Sequence, residues 1–123
     1  MKKENKEIEL QLLEVIIEAI KSKKGKEIVS IDLRNTENSV CDYFVICHGD
    51  STTQVDAIAD EVKIKTKEIL NTKVDHIEGQ QNKQWILLDY LSIVLHIFIE
   101  EQRNFYKLEE LWADGLINKH EDA

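Results

Sequence analysis

The sequence predicts an α/β fold, a mixed sheet of about five strands flanked by helices, in the order α-β-β-α-β-β-β-α. Three observations predict it. Apolar residues recur at helical spacing over Lys6–Lys23 and again after Ser51. Runs rich in β-branched and aromatic residues lie between and beyond those segments. The chain has no proline and no Gly/Ser-rich linker, so its elements follow one another through short turns. With 123 residues, 42% of them hydrophobic, it can bury one core, and the reading is a single domain over 1–116 with 117–123 as a flexible tail.

In the first helix, placing residues at 100° steps gathers Ile8, Leu10, Leu12, Leu13, Val15, Ile16, Ile17, Ala19 and Ile20 on an apolar arc of roughly 220°. That is about twice what one face of a core requires. One flank is expected on the sheet and the other on something else, with a second copy of the chain as a candidate. Gly25 is the expected stop.

Glu27–Leu33 alternates as a strand, and a polar loop follows to Ser39. Tyr43–Cys47 is continuously apolar and β-forming, the pattern of a strand covered on both faces, and belongs at the sheet centre. Ser51 with Gln54 three residues on is a capping box opening a helix, whose stripe is Val55, Ile58, Ala59, Val62, Thr66 and Ile69. Strands near Lys73–Ile77, Gln84–Tyr90 and Ile93–Ile99 form an antiparallel meander. A helix over Arg103–Trp112 closes the domain.

The formal charge of −8, from 24 acidic and 16 basic side chains, repels a phosphate backbone, so direct nucleic-acid binding is not expected. Docking on a basic protein is compatible with it, because opposite charge speeds encounter. No apolar run has the length of a signal peptide or a membrane span, so no membrane association is expected and the plain reading is a cytoplasmic protein. Cys41 and Cys47 would stand roughly 20 Å apart on one extended segment, against the about 7 Å a disulfide allows, so both are read as thiols, Cys47 in the core.

Chemistry is sought and not found, and the reading is a binding protein rather than an enzyme. Cys41, Cys47, His48, His76, His96 and His120 form no ligand pair at metal-binding spacing, so no metal and no cofactor are expected. Gly49-Asp50-Ser51 stands between a strand and a helix, as in a loop that holds a triphosphate, and this supports the alternative of a nucleotide-binding or nucleotidyltransferase enzyme. Such an enzyme also needs two carboxylates one residue apart on a strand to hold magnesium. The acidic pair at that spacing on a regular element is Glu7/Glu9, on a helix, so no catalytic residue is assigned.

Strand parity carries more. Trp85, Leu87 and Asp89 share one face of their strand, and Ile86, Leu88 and Tyr90 the other. A carboxylate does not enter a core unpaired, so the face with Asp89 is at least partly open and shows a tryptophan and a leucine, the composition of an interface anchor. Coverage of this face by the last helix, with Asp89 paired to Arg103, is equally compatible with the sequence. His96, mid-strand, reads as a buried histidine with a hydrogen-bond partner.

Six blocks in order, Asp42-Tyr43-Phe44-Val45-Ile46-Cys47-His48-Gly49, Gln54-Val55 through Ala57-Ile58-Ala59-Asp60, Glu78-Gly79, Trp85-Ile86-Leu87-Leu88-Asp89-Tyr90, His96-Ile97-Phe98, and Arg103 through Phe105-Tyr106, Leu108-Glu109 and Leu111-Trp112, resemble the Iojap/RsfS family of ribosomal silencing factors. The resemblance spans about Ile8 to Asp114. It implies a nucleotidyltransferase-like fold without that active site, in line with the missing carboxylate pair. It also implies binding to ribosomal protein L-fourteen on the large subunit, steric exclusion of the small subunit, repression of translation, and frequent homodimers. Carried over by position, the partner-binding surface includes Trp85, Asp89 and Tyr106, with Glu78, Leu87 and His96 beside them. For Tyr106 the competing role is core packing, for which Phe105 or Leu108 are better suited. The chain departs from the family at Leu91-Ser92, where a Gly-Asp or Ala-Asp pair is usual, and an ordinary type I turn is expected there.

Overall fold

The computed structural model describes residues 2–36 and 40–121, with side chains from residue 6 onward. Helix α1 (Lys2–Ser22) leads into β1 (Lys26–Asp32), β2 (Tyr43–Gly49), α2 (Thr52–Leu70), β3 (His76–Glu78), β4 (Trp85–Asp89) and β5 (Ile93–Ile99). Helices α3 (Glu100–Tyr106) and α4 (Leu108–Leu111) and a last strand, β6 (Leu116–His120), complete the chain. The sheet runs β3-β4-β5-β2-β1-β6. β2 and β5 pair in parallel at its centre, and the other neighbours are antiparallel. The crossover joining the parallel pair carries α2 onto one face of the sheet, as parallel pairing demands.

Each sheet face owns a core. On one, Leu12, Ile16 and Ile20 of α1 and Val55, Ile58 and Val62 of α2 pack on Val45, Cys47, Ile86, Leu88, Leu95 and Ile97. On the other, Val29, Ile31, Phe44, Ile46, Val94 and Phe98 are covered by Leu108 and Trp112, with Trp85 and Leu87 at the margin. Both cysteines are free and buried, and burial pushes each thiol up to about 12.

Local chemistry explains the element ends. Ser51 Oγ accepts the Gln54 amide at 3.1 Å, capping α2. The Gln54 side chain returns not to Ser51 but to the Asp50 amide (2.7 Å), and its NH₂ donates to the carbonyls of Lys23 and Lys24. One side chain thus ties the start of α2 to the end of α1. That end is closed by Lys24 in the left-handed region (φ 63°), not by Gly25. Gly25 is needed for room instead, since a Cβ there would lie 2.2 Å from Ile20 Cγ2.

The sequence reading is corrected in three further elements. Residues 117–120, expected at the start of a tail, join Leu116 in β6 on the free edge of β1, where Ser30 Oγ and His120 Nε2 meet at 2.8 Å. Asp122 and Ala123 lie outside the described residues. The strand count is therefore six rather than about five. The closing helix is broken at Lys107 (φ 50°) into α3 and α4. In one continuous helix Arg103 and Glu109 would point about 120° apart. The break turns Glu109 back so that its Oε1 accepts from Arg103 Nε (2.8 Å) and lies 2.7 Å from Nη2. Finally, Ile69 is exposed, so the buried stripe of α2 ends at Thr66, whose hydroxyl meets Tyr90 OH at 2.8 Å.

The wide apolar arc of α1 is largely accounted for within the chain. Its centre lies on the sheet, a second flank faces α2 through Val15 and Ala19, and Ile8 and Leu10 remain exposed.

Candidate functional site

The antiparallel register gathers the residues singled out in the sequence. Direct cross-strand partners point to the same face of a sheet. Trp85 lies opposite Phe98, Leu87 opposite His96 and also opposite Glu78, and Asp89 opposite Val94 and His76. Trp85, Leu87, Asp89, Glu78 and His96 therefore share one face. Tyr106, from α3, packs tilted against Trp85 with ring centroids 4.7 Å apart. Five of the six form one surface, and His96, 5% exposed, lies buried beneath it.

Its core is a connected aromatic layer. Trp85 lies 4.7 Å from Phe98, and its indole N–H donates to His96 Nδ1 at 3.1 Å. Phe44 meets His96 edge to face at 4.8 Å and Trp112 at 5.3 Å. Because Nδ1 accepts, His96 carries its proton on Nε2, which is buried with no hydrogen-bond partner among the described residues. Burial holds the ring neutral, with its pKa pushed down to about 4. His96 thus anchors the Trp85 indole N–H, as the buried, bonded histidine the sequence predicts.

Trp85, Leu87 and Asp89 are each half-buried, so the face is neither fully open nor covered. The proposed Asp89–Arg103 pair does not form. Asp89 Oδ1 accepts the Leu91 amide at 2.7 Å. Arg103 is buried, bonds Glu109, and donates to His48 Nδ1 at 3.0 Å. Burial, then the Arg103 charge, holds His48 below its ordinary pKa. Arg103 is the joint that seats α3 and α4, and with them Tyr106, on the sheet.

The turn after Asp89 is also not the type I turn expected. Ser92 N–H donates to Tyr90 O at 3.0 Å around Leu91 at φ 75°, a γ-turn in the region that favours glycine. Glycine in the family's usual pair would suit that backbone, whereas this chain holds an exposed leucine in it.

Sequence reasoning missed two surface groups. Phe105, thought suited to the core, is 77% exposed and stands against Tyr106, while Leu111 is 73% exposed. Helical phase was the available signal. With Arg103 turned inward, Phe105 falls about 200° away. Leu108 does pack inward, as expected of a core residue. The rim carries Glu78, bridged to His76 at 3.2 Å, and Asp89.

The Gly49–Ser51 loop is engaged internally. Ser51 Oγ and the Asp50 amide take part in the capping contacts described above, and the Asp50 carboxylate pairs with Lys26 at 2.7 Å. Among the described residues no three His, Cys, Asp or Glu side chains converge as a metal site, and no helix is long and apolar enough to cross a membrane.

Fold and site together define a small α/β domain whose sheet carries α1 and α2 on one face and presents an acid-rimmed aromatic surface on the other. The chain belongs to the family described as ribosomal silencing factor during starvation, RsfS, whose model matches residues 5–123. A ribosomal silencing factor RsfS from Halalkalibacterium halodurans is 35% identical over 105 residues, covering 85% of this chain and 88% of that protein. A mouse protein named mitochondrial assembly of ribosomal large subunit protein 1 is 29% identical over 104 residues, 82% of this chain and 45% of its own length. The crystal structure of a Chromobacterium violaceum protein superposes with a TM-score of 0.79 at 31% identity, covering 85% of each chain.

Proposed function

We propose that this protein docks on the large ribosomal subunit through ribosomal protein L-fourteen and, by its bulk, keeps the small subunit from joining, lowering translation in the cytoplasm. The observation that carries the reading is the meeting of Trp85, Leu87, Asp89, Glu78, His96 and Tyr106 on one aromatic, acid-rimmed face. Half-buried aromatics held rigidly by their neighbours lose little freedom on binding, which is how interface anchors act. The carboxylates at the rim, with a net charge of −8, favour a basic partner. No bond is made or broken in this mechanism.

Light scattering from separated ribosomal subunits mixed at a magnesium concentration that promotes joining tests it. Added wild-type protein is expected to lower the amplitude of association in proportion to its concentration, and Trp85→Ala to restore it. Association that proceeds unchanged with saturating folded protein would defeat the reading.

A further inference from the structure

The opposite side of the sheet carries a second recognition feature. Between α1 and α2 runs a groove of about 610 Å³ with Val15, Ala19, Ile69 and Leu70 among its apolar lining. This lies within the range of about 300–1,000 Å³ typical of binding clefts. Ile69, from the last turn of α2, is 62% exposed although the rest of its stripe is buried. Glu14, Glu18 and Glu61 stand along the rim, with Lys65 of the lining 3.8 Å from Glu68 and Lys21 of α1 3.9 Å from Glu18. At one end Ser22 Oγ donates to Glu61 Oε2 at 3.3 Å, linking the two helices across the groove.

We propose that this groove receives a basic amphipathic helix of a partner protein, with apolar side chains on the Val15–Ile69 floor and lysines or arginines against Glu14, Glu18 and Glu61. A trough between two helices fits the apolar face of a third, the helix-in-groove mode. The charge selects the occupant. A second copy brings another net −8, and nucleic acid or an anionic membrane meets the same repulsion. A cationic helix satisfies floor and rim together. The groove lies across the sheet from Trp85, so one molecule can hold this helix and its aromatic-face partner at once. The inference is independent of what that face binds.

The test uses two synthetic helical peptides of about 18 residues, five turns, with leucines at three-four spacing and flanks of lysine in one and glutamate in the other. Titrated into ¹⁵N-labelled full-length protein, the lysine peptide is expected to shift the amides of Val15, Ala19, Ile69 and Leu70 and to leave the Trp85 indole unmoved. The triple variant E14K/E18K/E61K is expected to lose at least tenfold in affinity for it and to gain affinity for the glutamate peptide. The control E101K/E110K/E121K, with the same change in charge away from the groove, is expected to lose less than threefold. Absence of shifts, shifts centred on Trp85, or equal losses in both triple variants would overturn the proposal. So would a wild-type dimer in sedimentation equilibrium that Ile69→Asp dissociates, since the groove would then hold a second copy.

Discussion

Replacing Arg103 by methionine removes the guanidinium while keeping most of the stem, and is expected to destabilise the domain by about 2–4 kcal/mol. Removing one partner of a buried ion pair costs roughly 3–5 kcal/mol. Arg103 is 7% exposed, but the Glu109 side chain is 25% exposed and regains some water when freed, which lowers the figure. The variant also leaves His48 Nδ1 without its donor, 3.0 Å away in the wild type. Urea denaturation followed by circular dichroism gives the loss. A double-mutant cycle with Glu109→Gln gives the part that belongs to the pair, expected at about 1–3 kcal/mol. Since Arg103 also lowers the His48 pKa, that pKa should rise in the variant, as read by NMR titration. A loss under about 1 kcal/mol, or a coupling indistinguishable from zero, would refute the role of Arg103 as the joint of α3 and α4.

Three further outcomes follow from the geometry. Gly79→Ala puts a Cβ 1.9 Å from Trp85 O at φ 87°, so the β3–β4 turn must open; the cost should exceed about 2 kcal/mol and alter the tryptophan fluorescence, and a shift within 0.5 kcal/mol would contradict the register. Glu9 has its pKa raised from 4.5 to about 7 by burial and by a hydrogen bond with Asp42, so folding takes up a proton and this contribution to stability falls as pH climbs between those values. Glu9→Gln should remove that slope, and identical pH profiles for variant and wild type would disprove it. His96 acts in the opposite sense: its pKa is held at about 4 against an ordinary 6.5, so stability is lost as pH falls from 6.5 towards 4, and His96→Phe should flatten that limb.

Local signals in the sequence were enough for much of this fold. The period-two parity of Trp85–Asp89, the apolar run of β2 and the Ser51 cap of α2 each act within a few residues and stand in the structure as read, while the return bond from Gln54 goes to the Asp50 amide. The elements that differ are set by distant partners. Leu-Ile-Asn-Lys-His is a weak strand by itself and becomes β6 because the edge of β1 is free. Lys107 carries no breaking signal of its own, and the helix yields there because Glu109 returns to a buried Arg103. Leu91 sits in a γ-turn because two paired strands leave no room for a longer one. At the site, parity places Trp85, Leu87 and Asp89 together, and the family resemblance supplied Tyr106, Glu78 and His96 as members of it. Phe105 and Leu111 became visible only once the phase of α3 and α4 was known.

The most direct test of the docking reading is co-sedimentation with separated ribosomal subunits, comparing wild type with Trp85→Ala and Tyr106→Ala, each first shown to be folded. The account predicts binding to the large subunit and none to the small, with each truncation losing on the order of 2 kcal/mol, about thirtyfold in affinity. Wild-type protein that stays in the supernatant with both subunits, or variants that sediment as well as wild type, would contradict it.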